Sequence, residues 1–128
     1  MAKDSSCCGD VKMVLACSGG SNVGQITNEV AISLDSSDAA KFSCLAGVGG
    51  GLSGFIESTK GAESVLVLGG CQVACGKACM ERAGLDGYGH IIVTDLDIEK
   101  KHEFKNSPGE IAKVIAAAKE KLGVRKNG

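Results

Sequence analysis

Residues 11–34, VKMVLACSGGSNVGQITNEVAISL, decide how the rest of the chain is read. Val11–Ala16 is a nearly continuous apolar run, the mark of a strand buried on both faces rather than on one. It leads into Cys17-Ser18-Gly19-Gly20, a turn. Asn22 then stands where a helix cap is wanted, with Gln25 three residues on in capping-box position. Val23, Ile26, Val30 and Leu34 follow at helical spacing. A buried strand feeding an amphipathic helix is the opening unit of a parallel α/β sheet.

The remaining elements repeat that unit. Lys41–Leu45 reads as a short second strand. The glycine-rich stretch Gly47–Gly51 reads as a tight turn before a short helix carrying Leu52, Phe55 and Ile56. Val65–Leu68 is a third buried strand, punctuated by Gly69-Gly70, and a helix is expected from Cys71 to Ala83, ending at Gly84. His90–Thr94 is the fourth strand. Ser107-Pro108-Gly109-Glu110 combines a cap, a proline at the first helical position and a capping-box glutamate. Ile111, Val114, Ile115, Ala118 and Leu122 form the stripe of that last helix, and Gly123 ends it. The order β-α-β-α-β-α-β-α predicts one three-layer α/β domain over residues 11–123, a four-stranded, mostly parallel sheet with helices on both faces. Residues 1–10 and 124–128 read as polar tails.

Composition narrows the function classes. Only 3% of the 128 residues are aromatic and none is Trp, which removes the stacking platforms that hold single-stranded nucleic acid. The net charge is −1 with Lys and Arg scattered, so neither nucleic acid nor a membrane surface finds an electrostatic footprint. No apolar run approaches the ~20 residues that span a bilayer. The opening Met-Ala-Lys-Asp-Ser-Ser-Cys-Cys has no hydrophobic signal stretch, and the expected location is cytoplasmic.

Seven cysteines in such a chain call for a reason: Cys7, Cys8, Cys17, Cys44, Cys71, Cys75 and Cys79. A reducing compartment and an odd count both argue against a disulfide framework. In open parallel sheets sites form beyond the carboxyl ends of the strands. Cys17 follows strand one, Cys44 closes strand two and Cys71 follows strand three. Cys75 is expected one helical turn after Cys71, on nearly the same face. Tetrahedral zinc with Zn–S near ~2.3 Å needs sulfurs about 3.8 Å apart. Side chains at i and i+4, with Cβ atoms ~6 Å apart, reach that distance. The four thiols Cys17, Cys44, Cys71 and Cys75 therefore make a complete shell for Zn²⁺, and the same shell suits an iron–sulfur cluster. Cys79, two turns along the expected helix and about 12 Å from Cys71, belongs to the core. Cys7 and Cys8 lie in the N-terminal tail.

Cys17-Ser18-Gly19-Gly20-Ser21-Asn22-Val23-Gly24, Ser43-Cys44-Leu45-Ala46-Gly47-Val48, Gly70-Cys71-Gln72-Val73-Ala74-Cys75 and Val93-Thr94-Asp95-Leu96, in that order, resemble the DGC-domain proteins. These are small bacterial and archaeal proteins described as zinc-binding through four cysteines, with no established activity. The resemblance spans roughly residues 11–122 and implies Cys17, Cys44, Cys71 and Cys75 as the chelating set. One departure stands out: the aspartate of the family's Asp-Gly-Cys motif is replaced by Gly69.

Two functions compete. The first is a metal-binding protein with a structural, sensory or carrier role. The second is a thiol enzyme for sulfur transfer or for oxyanion or disulfide reduction. For that enzyme the glycine turn and helix N-terminus after Cys17 favour an anion beside its sulfur. There is no C-x-x-C and no phosphate loop, and neither histidine is near a cysteine in sequence. His90 is expected at a strand start on the opposite edge, and His102 in the solvated segment Glu99–Lys105. Asp95 and Asp97 lie past strand four in a loop. The non-catalytic reading is the stronger.

Overall fold

The computed structural model describes residues 11–123; the tails expected at 1–10 and 124–128, with Cys7 and Cys8, lie outside the described residues. Four strands, β1 (Lys12–Ala16), β2 (Lys41–Ser43), β3 (Ser64–Gly69) and β4 (Gly89–Ile92), form one sheet in the order β2-β1-β3-β4. Every pairing is parallel, with Met13 opposite Lys41, Leu15 opposite Val67, and Val67 opposite His90. The helices are α1 (Asn22–Ser36), α2 (Leu45–Gly49), α3 (Ser53–Lys60), α4 (Cys75–Arg82) and α5 (Pro108–Leu122), and a 3₁₀ turn occupies Val93–Leu96.

Alternation along the two central strands sorts the core into two layers. Val14, Ala16, Leu66 and Leu68 pack with α1 and α5 through Val23, Ile26, Val30, Val114 and Ala118. Leu15 and Val67 point the other way, onto Leu45, Val48 and Met80 of α2 and α4. The expected α/β architecture, a parallel sheet with helices on both faces, is the one observed. α5 forms as its capping signals predict: Ser107 Oγ accepts from Glu110 N at 3.1 Å, Pro108 opens the helix and Gly123 closes it at φ 74°.

Five expectations need correction, each for a local reason: strand two, expected over Lys41–Leu45, stops at Ser43 because Cys44 caps α2 and Leu45 opens it. The cap of α1 is Ser21, whose Oγ accepts from Gly24 N; Gln25 reaches back instead to the Ser18 and Gly19 carbonyls. The Gly47–Gly51 stretch is no simple turn, because α2 runs through its first three residues with i→i−4 bonds such as Gly50 N to Ala46 O. The helix expected from Cys71 begins only at Cys75. Cys71–Ala74 is a tight turn closed by Ala74 N to Cys71 O, and Ala74 sits in the left-handed region at φ 56°, ψ 49°, which no continuing helix adopts. Strand four starts one residue early and gives way to the 3₁₀ turn at Val93.

The first turn of α1 lies close against the turn after β1 and against Gly70, just past the end of β3. A Cβ on Gly24 would lie 2.6 Å from the Gly19 carbonyl oxygen, and one on Gly70 would lie 2.9 Å from Gly24 N. Backbone meets backbone there, with no flexible side chain to give way. Gly24→Ala should therefore lower stability by about 2 kcal/mol, as overpacked sites do, read as a reduced urea midpoint with unchanged slope. A midpoint equal to that of the parent would mean that the turn relaxes freely.

Candidate thiol and metal site

Strand order reverses at the centre of the sheet: β1 connects onward to β2 on one side, while β3 and β4 lie on the other. Open α/β sheets bind ligands in the crevice at such a reversal, beyond the carboxyl ends. Cys17 directly follows β1, and its N–H donates to the Leu68 carbonyl at 3.0 Å, carrying the β1–β3 ladder one step further. Cys71 is the second residue after β3. The two half-buried cysteines therefore flank the reversal. Cys44 precedes α2 as its cap residue and Cys75 opens α4; both are exposed.

The four cysteines named from the sequence thus lie along one edge, but they are not drawn into one cluster. Among the described residues no three His, Cys, Asp or Glu side chains are grouped closely enough to hold a metal ion. The broken helix explains part of this. With a turn and a left-handed residue between them, Cys71 and Cys75 are not neighbours one helical turn apart, and the distance argument from helix geometry does not apply to them. In chemistry the donors suit a thiophilic ion; in position they leave its shell open. Cys79 is half-buried against Leu15, Val48 and Met80, and its Sγ would stand 2.7 Å from a Cβ on Gly49, so it packs the α2–α4 layer as expected.

Around Cys17 the chain is closely wired. Thr27, fully buried, accepts the Ser18 N–H at 3.0 Å and donates to the Gly24 carbonyl at 2.6 Å, which leaves its oxygen 3.8 Å from Cys17 Sγ. Two of the N–H groups expected to face an anion at this helix N-terminus are already taken within the protein. Asn22 N donates to the Lys101 carbonyl at 3.0 Å, and Gly24 N to Ser21 Oγ at 3.1 Å. The buried Asn22 side chain donates to the Glu99 carbonyl at 2.8 Å and accepts from Lys101 N. Residues 99–101 are thereby strapped across the start of α1. The strap carries Lys100 to Cys71, with Nζ 3.4 Å from Sγ. Gln72, next to Cys71, donates to Asp95 Oδ1 at 2.7 Å and ties the Cys71–Ala74 turn to the loop after β4. The sequence offered no signal for the strap, because Asn22 and Lys101 are joined only through the fold.

His90 is not on the opposite edge. It pairs with Val67 near the end of β3, and its Nε2 stands 3.2 Å from where a Cβ on Gly69 would be. That nitrogen is buried without a hydrogen-bond partner, as is Thr94 Oγ1 nearby in sequence. Burial pushes the His90 imidazole below its ordinary value of 6.5, Lys77 adds to the depression and Asp95 opposes it. Gly69, the position where the family motif carries an aspartate, is thus the residue that borders the unpaired nitrogen. His102 is exposed, as expected, with its ring edge-on to Phe104 at 5.3 Å. No described helix is long and apolar enough to cross a membrane.

Comparison with known proteins agrees with the residues above. The DGC domain matches over residues 13–118. The chain is 34% identical over 90 residues to the anaerobic and virulence modulator AnvM of Pseudomonas aeruginosa, an alignment covering 70% of this chain and 69% of AnvM. No solved structure gave a significant match.

The His90 environment has consequences for pH. Its proton is bound less readily in the folded chain than in the unfolded one, so stability rises with pH across that interval. The contribution is present above about pH 6.5 and is lost as pH falls through the folded value. His90→Gln should flatten this acid-side loss in urea unfolding followed from about pH 8 to pH 5. Gly69→Asp would set a carboxylate beside Nε2 and should move the imidazole titration to higher pH, as read by NMR. An unmoved titration in Gly69→Asp would show that the two side chains do not meet.

Proposed function

This chain belongs to the DGC-domain family, and from that premise we propose that it is a small cytoplasmic protein that binds a thiophilic metal ion, Zn²⁺, through Cys17, Cys44, Cys71 and Cys75. Its role is sensory, structural or that of a carrier rather than catalytic. The observation that carries this reading is the placement of all four thiols at the carboxyl edge, with Cys17 and Cys71 on either side of the strand reversal. Soft thiolates select zinc over hard cations such as calcium and magnesium. A shell of four sulfurs has no open position at which zinc activates water. The name of the relative AnvM, a modulator, agrees with a regulatory role. The thiol-enzyme alternative is the weaker reading, since Ser21 and the Lys101 carbonyl already take two N–H groups at the helix N-terminus after Cys17.

On this reading the ion draws Cys44 and Cys75, the two exposed members, toward Cys17 and Cys71. Bound metal therefore couples the turns after β2 and β3 to the sheet, and it stabilises the fold by mass action.

Elemental analysis of protein purified without oxygen should give about one zinc per chain, with a colourless spectrum that excludes an iron–sulfur cluster. Metal removal by a chelator should lower the melting temperature and expose Cys44 and Cys75 to alkylation. Cys75→Ser should abolish stoichiometric zinc, whereas Cys79→Ser should retain it and lose only core packing. Protein that carries no metal, with Cys44 and Cys75 alkylated equally fast before and after chelation, would overturn the reading.

A further inference from the structure

We propose that Cys71, with the Lys100 ammonium at its sulfur, is a reactive-thiol site that selects small anionic electrophiles over neutral ones, and that Asn22 is the positioning residue that holds Lys100 in place. The ligand class is a small molecule bearing a carboxylate or phosphate next to its reactive carbon. The proposal concerns the metal-free protein, in which the Cys71 sulfur is free to react, and it stands whether or not zinc binds.

Three observations converge on it. First, Lys100 Nζ lies 3.4 Å from Cys71 Sγ, within hydrogen-bonding distance for sulfur. Among the described cysteines this is the one whose sulfur has a cationic side chain as a hydrogen-bond partner. Second, an exposed lysine ordinarily ranges over many rotamers on a free backbone, but here the residues on both sides of it are pinned. Asn22 Nδ2 holds the Glu99 carbonyl at 2.8 Å; Asn22 Oδ1 and Asn22 N hold the N–H and carbonyl of Lys101. Asn22 is only 6% exposed, so this bracket is protected from competition by water. Third, the Cys71 side chain packs against the α1–α5 core layer yet remains half-exposed, which fixes its sulfur while leaving a face open. Asp95, the acid of the adjoining turn, is engaged by Gln72 at 2.7 Å.

The geometry gives an incoming anion a countercharge beside the nucleophile. With iodoacetate the Cys71 sulfur attacks the methylene carbon. The S–C bond forms, the C–I bond breaks, iodide leaves with the bonding pair, and the thiol proton passes to buffer. No oxidant or further reactant enters. Iodoacetamide follows the same path without a charge for Lys100 to attract, so the ratio of the two rates isolates the cation.

The test uses the full-length reduced protein in excess EDTA at low ionic strength, with modification of each cysteine followed by mass spectrometry. The iodoacetate-to-iodoacetamide rate ratio at Cys71 should exceed that at Cys44 by about threefold to fivefold, the factor expected for one unit charge at ~4 Å near water, and should shrink as salt is added. Lys100→Met should bring the Cys71 ratio down to the Cys44 value, and Lys100→Arg should preserve it. Asn22→Ala should lower the Cys71 ratio while leaving the Cys44 ratio unchanged. Its fold is checked by circular dichroism, and the Lys100 variants carry the test if it does not fold. Equal ratios at Cys71 and Cys44 in the parent protein, or a Cys71 ratio untouched by Lys100→Met, would overturn the site. A folded Asn22→Ala protein with the parent's ratio would overturn the role of Asn22.

Discussion

Bare backbone packing between the first turn of α1 and the end of β3 is the contact on which the carboxyl edge depends. β1 and β3 pair at the centre of the sheet, and α1 must return over both of them. With Gly24 and Gly70 at the crossing, the helix start lies directly on the strand end. That closeness puts the Cys17 N–H on the Leu68 carbonyl and sets Cys17 and Cys71 on either side of the same seam. A side chain at Gly70 would push the helix outward and open the seam, and one at Gly24 would press on the turn at Gly19.

The second determinant is a single buried amide. A helix N-terminus normally presents free N–H groups to water or to an anion. Here Asn22 uses its backbone and both polar atoms of its side chain to take up residues 99–101 instead. Leaving such buried groups unpaired would cost about 1–3 kcal/mol each. The strap therefore belongs to the folded core in energetic terms although it follows the last strand. The same capping that stabilises α1 takes up N–H groups at the helix start beside Cys17, and it delivers a cation to Cys71.

The cysteines divide accordingly into two kinds. Cys17 and Cys71 sit at the ends of the central strands, half-buried and hydrogen-bonded into the scaffold. Cys44 and Cys75 stand exposed at the starts of short helices. His90 adds a buried Nε2 without a hydrogen-bond partner, bordered by Gly69.

Much of this was legible in the residues alone. Continuous apolar runs at Val11–Ala16 and Val65–Leu68 can be buried only between two layers, so they dictated a parallel sheet with covered faces. The cap, proline and glycine around α5 determined that helix almost to the residue, since their preferences act within one turn of chain. The order of segments also placed Cys17, Cys44 and Cys71 at one edge. Tertiary structure decided what local preference could not reach. Ala74 takes a left-handed conformation that nothing in Gln72-Val73-Ala74 signals, and it starts α4 four residues late. Glycines at Gly47 and Gly49 are helical because Leu45 and Val48 are buried against Leu15 and Val67, an override of propensity by packing. The meetings of Asn22 with Glu99 and Lys101, of Lys100 with Cys71 and of His90 with Gly69 join residues distant in sequence. Periodicity and capping rules describe neighbours along the chain, whereas these contacts exist only once the sheet has brought its strand ends together.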